Sequence, residues 1–92
     1  MVKIDDELYE KGASELIDFM DLILKENDYT SPDDSEKAFE EVMEMIVDDP
    51  WYYADHFGPG LVYYTIIEEF KGDVDASFAA GNEWLREYKD LT

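Results

Sequence analysis

Leu61-Val62-Tyr63-Tyr64-Thr65-Ile66-Ile67 is the stretch whose conformation distinguishes an all-helical chain from a mixed one. It is rich in β-branched and aromatic residues, which suit a strand as well as a buried helix. A lone strand would have nothing to pair with, and no neighbouring segment alternates with a period of two. We therefore predict a helix from Leu61 to Phe70.

Helix-breaking residues flank this stretch on both sides. Residues 50–57 are predicted to form a short helix that Pro50 opens and that Gly58-Pro59-Gly60 closes. After Gly72 a last helix is predicted from Asp73 to about Lys89. That helix should bring these apolar residues to one side, with Trp84 near them: Val74, Phe78, Leu85 and Tyr88.

The N-terminal half has the pattern of two amphipathic helices. Apolar residues recur at spacings of three and four between Asp5 and Glu26, namely Leu8, Tyr9, Ala13, Leu16, Ile17, Met20, Ile23 and Leu24. We expect Gly12 to kink or split the first turns of this helix.

The second helix has a clear start signal. Ser31 is placed as N-cap, Pro32 occupies the first helical position, and two acids follow where the helix dipole favours them. The helix should end before Pro50 and turn these residues inward: Ala38, Phe39, Val42, Met43, Met45 and Ile46. The chain is thus predicted to be an all-α bundle of four to five short helices, and 92 residues leave room for one domain only, over 1–92.

The charge of the chain restricts its partners. Apolar residues make up 46%, enough for a core, but 25 Asp plus Glu face only seven Lys plus Arg, which gives a net charge of -18. Solubility alone is served by a net charge of roughly 2–8 in a small domain. Direct binding to nucleic acid or to an anionic membrane is disfavoured because both need cationic side chains. The expected partners are cationic.

The sequence also indicates a compartment. It contains no Cys, its N-terminus lacks the apolar stretch of a signal peptide, and no window approaches 18 apolar residues. We expect a soluble cytoplasmic protein, in the host cytoplasm if a phage encodes it.

Catalytic motifs are lacking. His56 is the single histidine, and we interpret it as a partly buried, hydrogen-bonded residue at a helix end. Asp73-Val74-Asp75-Ala76-Ser77 begins like a calcium loop, but Phe78 stands where Gly is needed and Trp84 where Glu is needed. We predict no enzyme, no cofactor and no metal site.

Acidic residues recur along the first two helices at spacings that place them on common faces. Like charges at i and i+4 destabilise a helix by a few tenths of a kcal/mol and lie about 6 Å apart along its axis, a spacing comparable to that of backbone phosphates. Such a helix is a candidate DNA mimic, although a solvated face that serves only solubility gives the same pattern. The candidate partner-binding residues are Asp18, Asp21, Glu26, Asp28, Asp33, Asp34, Glu36, Glu40, Glu41, Glu44, Asp48, Asp49 and Asp55.

Aromatic residues are concentrated between positions 51 and 64. One side of a short helix cannot bury all five of the large aromatic side chains found there, so some should be exposed or lie at an interface. These five residues are Trp51, Tyr52, Tyr53, Tyr63 and Tyr64. Trp51, Tyr52, Tyr53 and Phe57 are the candidates for a binding hot spot or for self-association.

Two stretches resemble a known family. The first stretch is Leu24-Lys25-Glu26-Asn27, together with Tyr29 and the acidic turn at Asp33 and Asp34. The second stretch is Pro50-Trp51-Tyr52-Tyr53-Ala54-Asp55-His56-Phe57. They are similar to the Ocr family of phage antirestriction proteins, whose second motif reads Pro-x-Tyr-Tyr-Ala-Asp-x-Phe. The resemblance covers the chain from Ile17 to Phe57.

The resemblance implies an all-helical, acidic homodimer that imitates a bent duplex and occupies the DNA groove of type I restriction-modification enzymes. In that family self-association involves the region that matches Phe57. The chain departs from the family at Gly58-Pro59-Gly60, where the family continues helically, and at its end, where the family has a strongly acidic tail.

Three functions remain open from the sequence. The first is a DNA-mimic counter-defence protein that blocks a basic DNA-binding enzyme of the host. The second is an immunity protein that neutralises one nuclease toxin through an aromatic hot spot, since both use electrostatic steering toward a basic cleft. The third, an inert acidic domain, predicts no tight basic partner.

Overall fold

The computed structural model describes residues 2–26 and 32–91. Within these ranges the chain forms helices and no strand, so the all-α prediction is confirmed. The predicted N-cap Ser31 and the acidic Asp28 lie outside the described residues. The helices are α1 (Asp6–Glu26), α2 (Pro32–Asp48), α3 (Pro50–Phe57), α4 (Pro59–Glu69) and α5 (Val74–Leu91).

The segment whose composition suits a strand, Leu61 to Ile67, lies in the central helix of the bundle, α4. Helix α4 contacts each of the other four helices, most extensively α1, and Leu61, Val62 and Tyr63 are fully buried. A helix buried on nearly all sides needs apolar residues all round, which explains why its composition resembles that of a strand. It begins at Pro59, earlier than predicted, because Gly58 with φ of 102° makes the whole break between α3 and α4.

Helix α1 runs without interruption through Gly12, so the prediction of a split helix was wrong. The role of Gly12 is to let two helices approach each other. A Cβ atom at position 12 would lie 1.9 Å from the carbonyl oxygen of Gly60 and 2.7 Å from the Cβ of Tyr64. The crossing of α1 and α4 therefore requires the absence of a side chain at position 12.

Aspartates cap two of the helices. The Asp5 Oδ1 accepts a hydrogen bond of 3.2 Å from the Leu8 backbone N–H, and the Asp73 Oδ1 accepts one of 2.7 Å from the Ala76 N–H. The acid that opens the calcium-like stretch is thus a helix cap.

A buried tyrosine ties the N-terminal segment to the bundle. The Tyr63 hydroxyl accepts a hydrogen bond from the Asp5 N–H at 3.1 Å and donates one to the Asn82 Oδ1 at 2.6 Å. The Asn82 amide then donates to the Lys3 carbonyl at 2.8 Å. Residues before α1 are held in this way against α4 and α5.

Replacing Tyr63 with Phe is expected to lower the free energy of unfolding by about 1 kcal/mol, because it removes two part-buried hydrogen bonds, from the Asp5 N–H and to the Asn82 Oδ1. Urea unfolding measures the change. Tyr64→Phe is the matched control, since its hydroxyl makes no hydrogen bond among the described residues, and it should cost less than about 0.5 kcal/mol. Equal losses in the two variants would contradict a structural role for the hydrogen bonds.

Four residues that were predicted to face inward are exposed, namely Ile17, Phe39, Met45 and Val74. The buried stripe of α1, formed by Gly12, Leu16 and Phe19, is narrower than its apolar pattern. Ile17 lies one position, or about 100°, beyond Leu16, so no other helix covers it. Apolar residues at spacings of three and four indicate which face of a helix is buried, but they do not indicate how wide the buried face is.

Candidate functional site

Helix α2 carries an exposed row of carboxylates. Glu36, Glu40 and Glu44 recur every fourth residue with Glu41 beside them, and all four are exposed. Within the described part of the chain, none of these carboxylates has a Lys or Arg at salt-bridge distance. From Glu36 to Glu40 and from Glu40 to Glu44 the distance along the helix axis is about 6 Å. We call these four residues the α2 acidic row.

The end of α4 adds a carboxylate to this row. Glu40, Glu44, Glu69 and Lys71 line a shallow cleft of about 290 Å³. Sequence reasoning missed Glu69, because only the contact between α2 and α4 brings it beside the row. Lys71 places one positive charge beside three negative ones at this cleft.

Helix α1 carries a second acidic stripe. Asp18 and Asp21 are exposed on the side of the helix opposite Leu16, and Glu7 and Glu10 continue the same side toward the N-terminus. Of the other predicted residues, Glu26, Asp33, Asp48, Asp49 and Asp55 are exposed and Asp34 is half-buried. The carboxylates thus lie on the surfaces of α1 and α2 and around α3.

Added salt is expected to stabilise the folded protein, because its surface is strongly negative. Mutual repulsion at a charge of -18 is screened as ionic strength rises. Between about 20 mM and about 200 mM NaCl the melting temperature should increase by about 5 °C, which corresponds to roughly 1 kcal/mol for a domain of this size. A melting temperature that stays flat or falls would contradict a surface under repulsion.

Helix α3 presents aromatic rings to solvent. Trp51, Tyr52 and Phe57 keep 38%, 50% and 39% of their surface exposed, whereas Tyr53 is half-buried against Phe19 with ring centroids 5.9 Å apart. The expectation that part of the aromatic segment is exposed is confirmed. Its other members belong to α4, where Tyr63 is fully buried and Tyr64 half-buried.

His56 is exposed, so the prediction of a partly buried histidine was wrong. It does lie at the end of a helix and makes a hydrogen bond, since its Nδ1 is 3.0 Å from the Tyr52 carbonyl oxygen. Its ring stacks on that of Tyr52 with centroids 4.2 Å apart. His56 lies two positions, or about 200°, from the buried Ala54 and therefore on the opposite side of α3.

Glu15 has a carboxylate oxygen that is buried and makes no hydrogen bond in the described structure. Burial raises the pKa of Glu15, Asp18 adds to that effect and Lys11 opposes it. The side chain lies close to Gly58, at the junction of α3 and α4. Sequence reasoning missed it, although Glu15 stands four residues before the buried Phe19 and therefore on the same face.

Glu15 should make the stability depend on pH. The pKa of Glu15 in the folded state is higher than its ordinary value of about 4.3 in the unfolded chain. At pH values between these two pKa values the folded protein binds a proton that the unfolded chain does not. The free energy of unfolding therefore falls as pH rises through that window. Glu15→Gln should remove this decrease and stabilise the protein at neutral pH by about 1 kcal/mol.

The control for Glu15→Gln is Glu10→Gln, which removes the same charge from an exposed position of the same helix. Urea unfolding at several pH values between about 4 and about 7 compares both with the parent. Identical stability profiles of the two variants would show that charge number, not burial of Glu15, sets the pH dependence.

The chain matches no protein-family model, no curated protein and no solved structure. Among residues 2–26 and 32–91, acidic and histidine side chains form no group of three that could hold a metal ion. No helix in those same ranges has the length and apolarity needed to cross a membrane.

Proposed function

We propose that this protein is a DNA mimic that inhibits a bacterial DNA-binding defence enzyme, of the type I restriction-modification kind or similar, by occupying its basic DNA groove. The α2 acidic row carries the proposal: it has four exposed carboxylates, none of which lies at salt-bridge distance from a Lys or Arg of the described chain. Each is free to bind a Lys or Arg that otherwise contacts a phosphate.

The excess of like charge on α2 distinguishes a binding surface from one that serves solubility, because the helix has a single cationic residue, Lys37, among seven acidic ones. A helix selected for solubility alone would interleave charges of both signs at i and i+4 and gain a few tenths of a kcal/mol per pair. Instead Glu36 and Glu40, and Glu40 and Glu44, repel each other at that spacing. A function that requires negative charge on this face accounts for the cost.

The function is tested by competition. A panel of purified type I restriction-modification enzymes and unrelated DNA-binding proteins is incubated with fluorescent duplex and increasing amounts of this protein. We expect displacement of the duplex, with an inhibition constant that scales with DNA concentration. Both complexes should weaken with salt, and the slope should be shallower for this protein because carboxylates carry a thinner counterion atmosphere than DNA.

Two outcomes would overturn mimicry. One is a ternary complex in which duplex and this protein are bound to the enzyme together. The other is that no protein of the panel releases its duplex at any salt concentration. Inhibition of several unrelated enzymes would favour a general phosphate mimic.

The aromatic surface of α3 supports a second candidate, an immunity protein for a nuclease toxin. Trp51 and Tyr52 belong to the residue types that dominate binding energy at protein interfaces, and both are exposed. An immunity protein should bind one toxin tightly and leave the enzymes of the panel unaffected. The competition assay therefore separates the two candidates.

A further inference from the structure

The outer surface of α3 combines fixed aromatic rings with carboxylates. Tyr52 is held on one face by the ring of His56 at 4.2 Å, and the edge of Tyr53 meets it at 5.1 Å. Trp51 lies against Trp84 at 5.6 Å. Both rings still keep more than a third of their surface in solvent. Each ring is thus fixed by contacts with neighbouring rings and keeps part of its surface exposed to solvent.

Carboxylates stand beside these rings. Asp55 is three residues after Tyr52 and four after Trp51, the spacings at which helix side chains are neighbours. Asp48 and Asp49 precede the helix and are exposed as well. An aromatic face with a carboxylate at its edge suits a planar cation that stacks through its face and donates hydrogen bonds through its edge.

The chain supplies no such cation itself. Between Lys37 and Lys71 it contains no Lys or Arg, and no Lys or Arg side chain of the described residues stacks on Trp51 or Tyr52. A second copy of this chain is disfavoured as the occupant, because it would bring Asp48, Asp49 and Asp55 against the same residues of another highly negative molecule. Charge complementarity requires a cationic occupant.

We propose that the exposed face of α3, formed by Trp51, Tyr52 and Asp55, is a binding site for an arginine side chain of a basic protein partner. The guanidinium stacks on the open face of Tyr52 while its N–H groups donate to the Asp55 carboxylate. Lysine fits less well, since its ammonium is a strongly hydrated point charge without a plane to stack. This inference rests on the proposed function only in taking the partner to be a basic protein.

The site is tested with two peptides of equal length and charge, hexa-arginine and hexa-lysine, by calorimetric titration into the full chain. The readout is the ratio of the two dissociation constants. Hexa-arginine should bind at least about threefold more tightly, as expected when cation–π stacking adds to equal charge. Tyr52→Leu should bring the ratio close to one, and Tyr52→Phe, which keeps the aromatic face, should preserve it.

Further variants separate this site from the α2 acidic row. Asp55→Asn should lower the ratio, because an amide offers one neutral acceptor oxygen where the carboxylate offers two charged ones that match the guanidinium fork. Changing Glu36, Glu40, Glu41 and Glu44 together to Gln should weaken both peptides and leave the ratio unchanged. Circular dichroism verifies that each variant is folded, and Asp55→Asn keeps the test intact should Tyr52→Leu be unfolded.

Three results would overturn the arginine site. Equal binding of the two peptides to the parent protein would do so while leaving groove mimicry by the α2 acidic row intact. A preference for arginine that survives Tyr52→Leu would assign it to carboxylates alone. Sedimentation that shows a dimer in the parent and a monomer in Tyr52→Leu, with an unchanged ratio, would make α3 a self-association surface instead.

Discussion

Gly12→Ala is expected to destabilise the protein by about 3 kcal/mol or more, and to leave it largely unfolded if its stability is near the low end for small domains. The added Cβ would lie 1.9 Å from the Gly60 carbonyl oxygen and 2.6 Å from the carbon of that group. Both are backbone atoms of α4, so no side chain can rotate away to make room. The two helices would have to separate, and the contact between them is the most extensive in the bundle.

Helix propensity predicts the opposite sign for this substitution. In an exposed helix interior, replacing Gly with Ala stabilises by about 1 kcal/mol. Ser14→Ala is the control, since it lies on the exposed side of α1 and should change stability by only a few tenths of a kcal/mol. Thermal and urea unfolding of the three proteins decide between the two effects. A Gly12→Ala protein as stable as the parent would refute the close crossing of α1 and α4.

Changing Glu36, Glu40, Glu41 and Glu44 together to Gln is expected to weaken binding to an inhibited enzyme by about 3 kcal/mol or more, at least about a hundredfold in dissociation constant. Each lost carboxylate leaves a Lys or Arg of the target without a partner in its groove. The fold should be unchanged or slightly more stable, because like-charge pairs worth a few tenths of a kcal/mol are removed. The competition assay and thermal unfolding measure the two effects separately.

A matched control distinguishes the row from total charge. Asp6→Asn, Glu83→Gln, Glu87→Gln and Asp90→Asn together remove the same number of charges from exposed positions outside the candidate residues. This variant should lose much less affinity than the row variant. Equal losses would mean that long-range attraction, not the α2 acidic row, drives binding. Undiminished inhibition by the row variant would place the binding surface elsewhere, with α3 as the next region to test.

The helix boundaries could be predicted well from the sequence because they depend on local chemistry. Proline cannot continue a helix as a donor but suits its first turn, so Pro32, Pro50 and Pro59 each stand at a helix start. The helix predicted from Leu61 to Phe70 followed from the lack of any strand for this segment to pair with, although it begins two residues earlier, at Pro59. The large negative charge needed no tertiary information, nor did the exposure of the described candidate carboxylates other than Asp34, since charged groups avoid burial.

The tertiary structure determined what depends on contacts between distant residues. Local helix propensity makes Gly12 a weak point of α1, yet the packing of α4 makes it a position where the two helices approach each other closely. The apolar pattern marks a face, but only neighbouring helices determine which apolar residues of that face are covered, and Ile17 and Met45 are not. Helix packing brings Glu69 beside the α2 acidic row and buries one carboxylate oxygen of Glu15. Local propensity acts over a few residues, whereas burial depends on residues far apart in the chain.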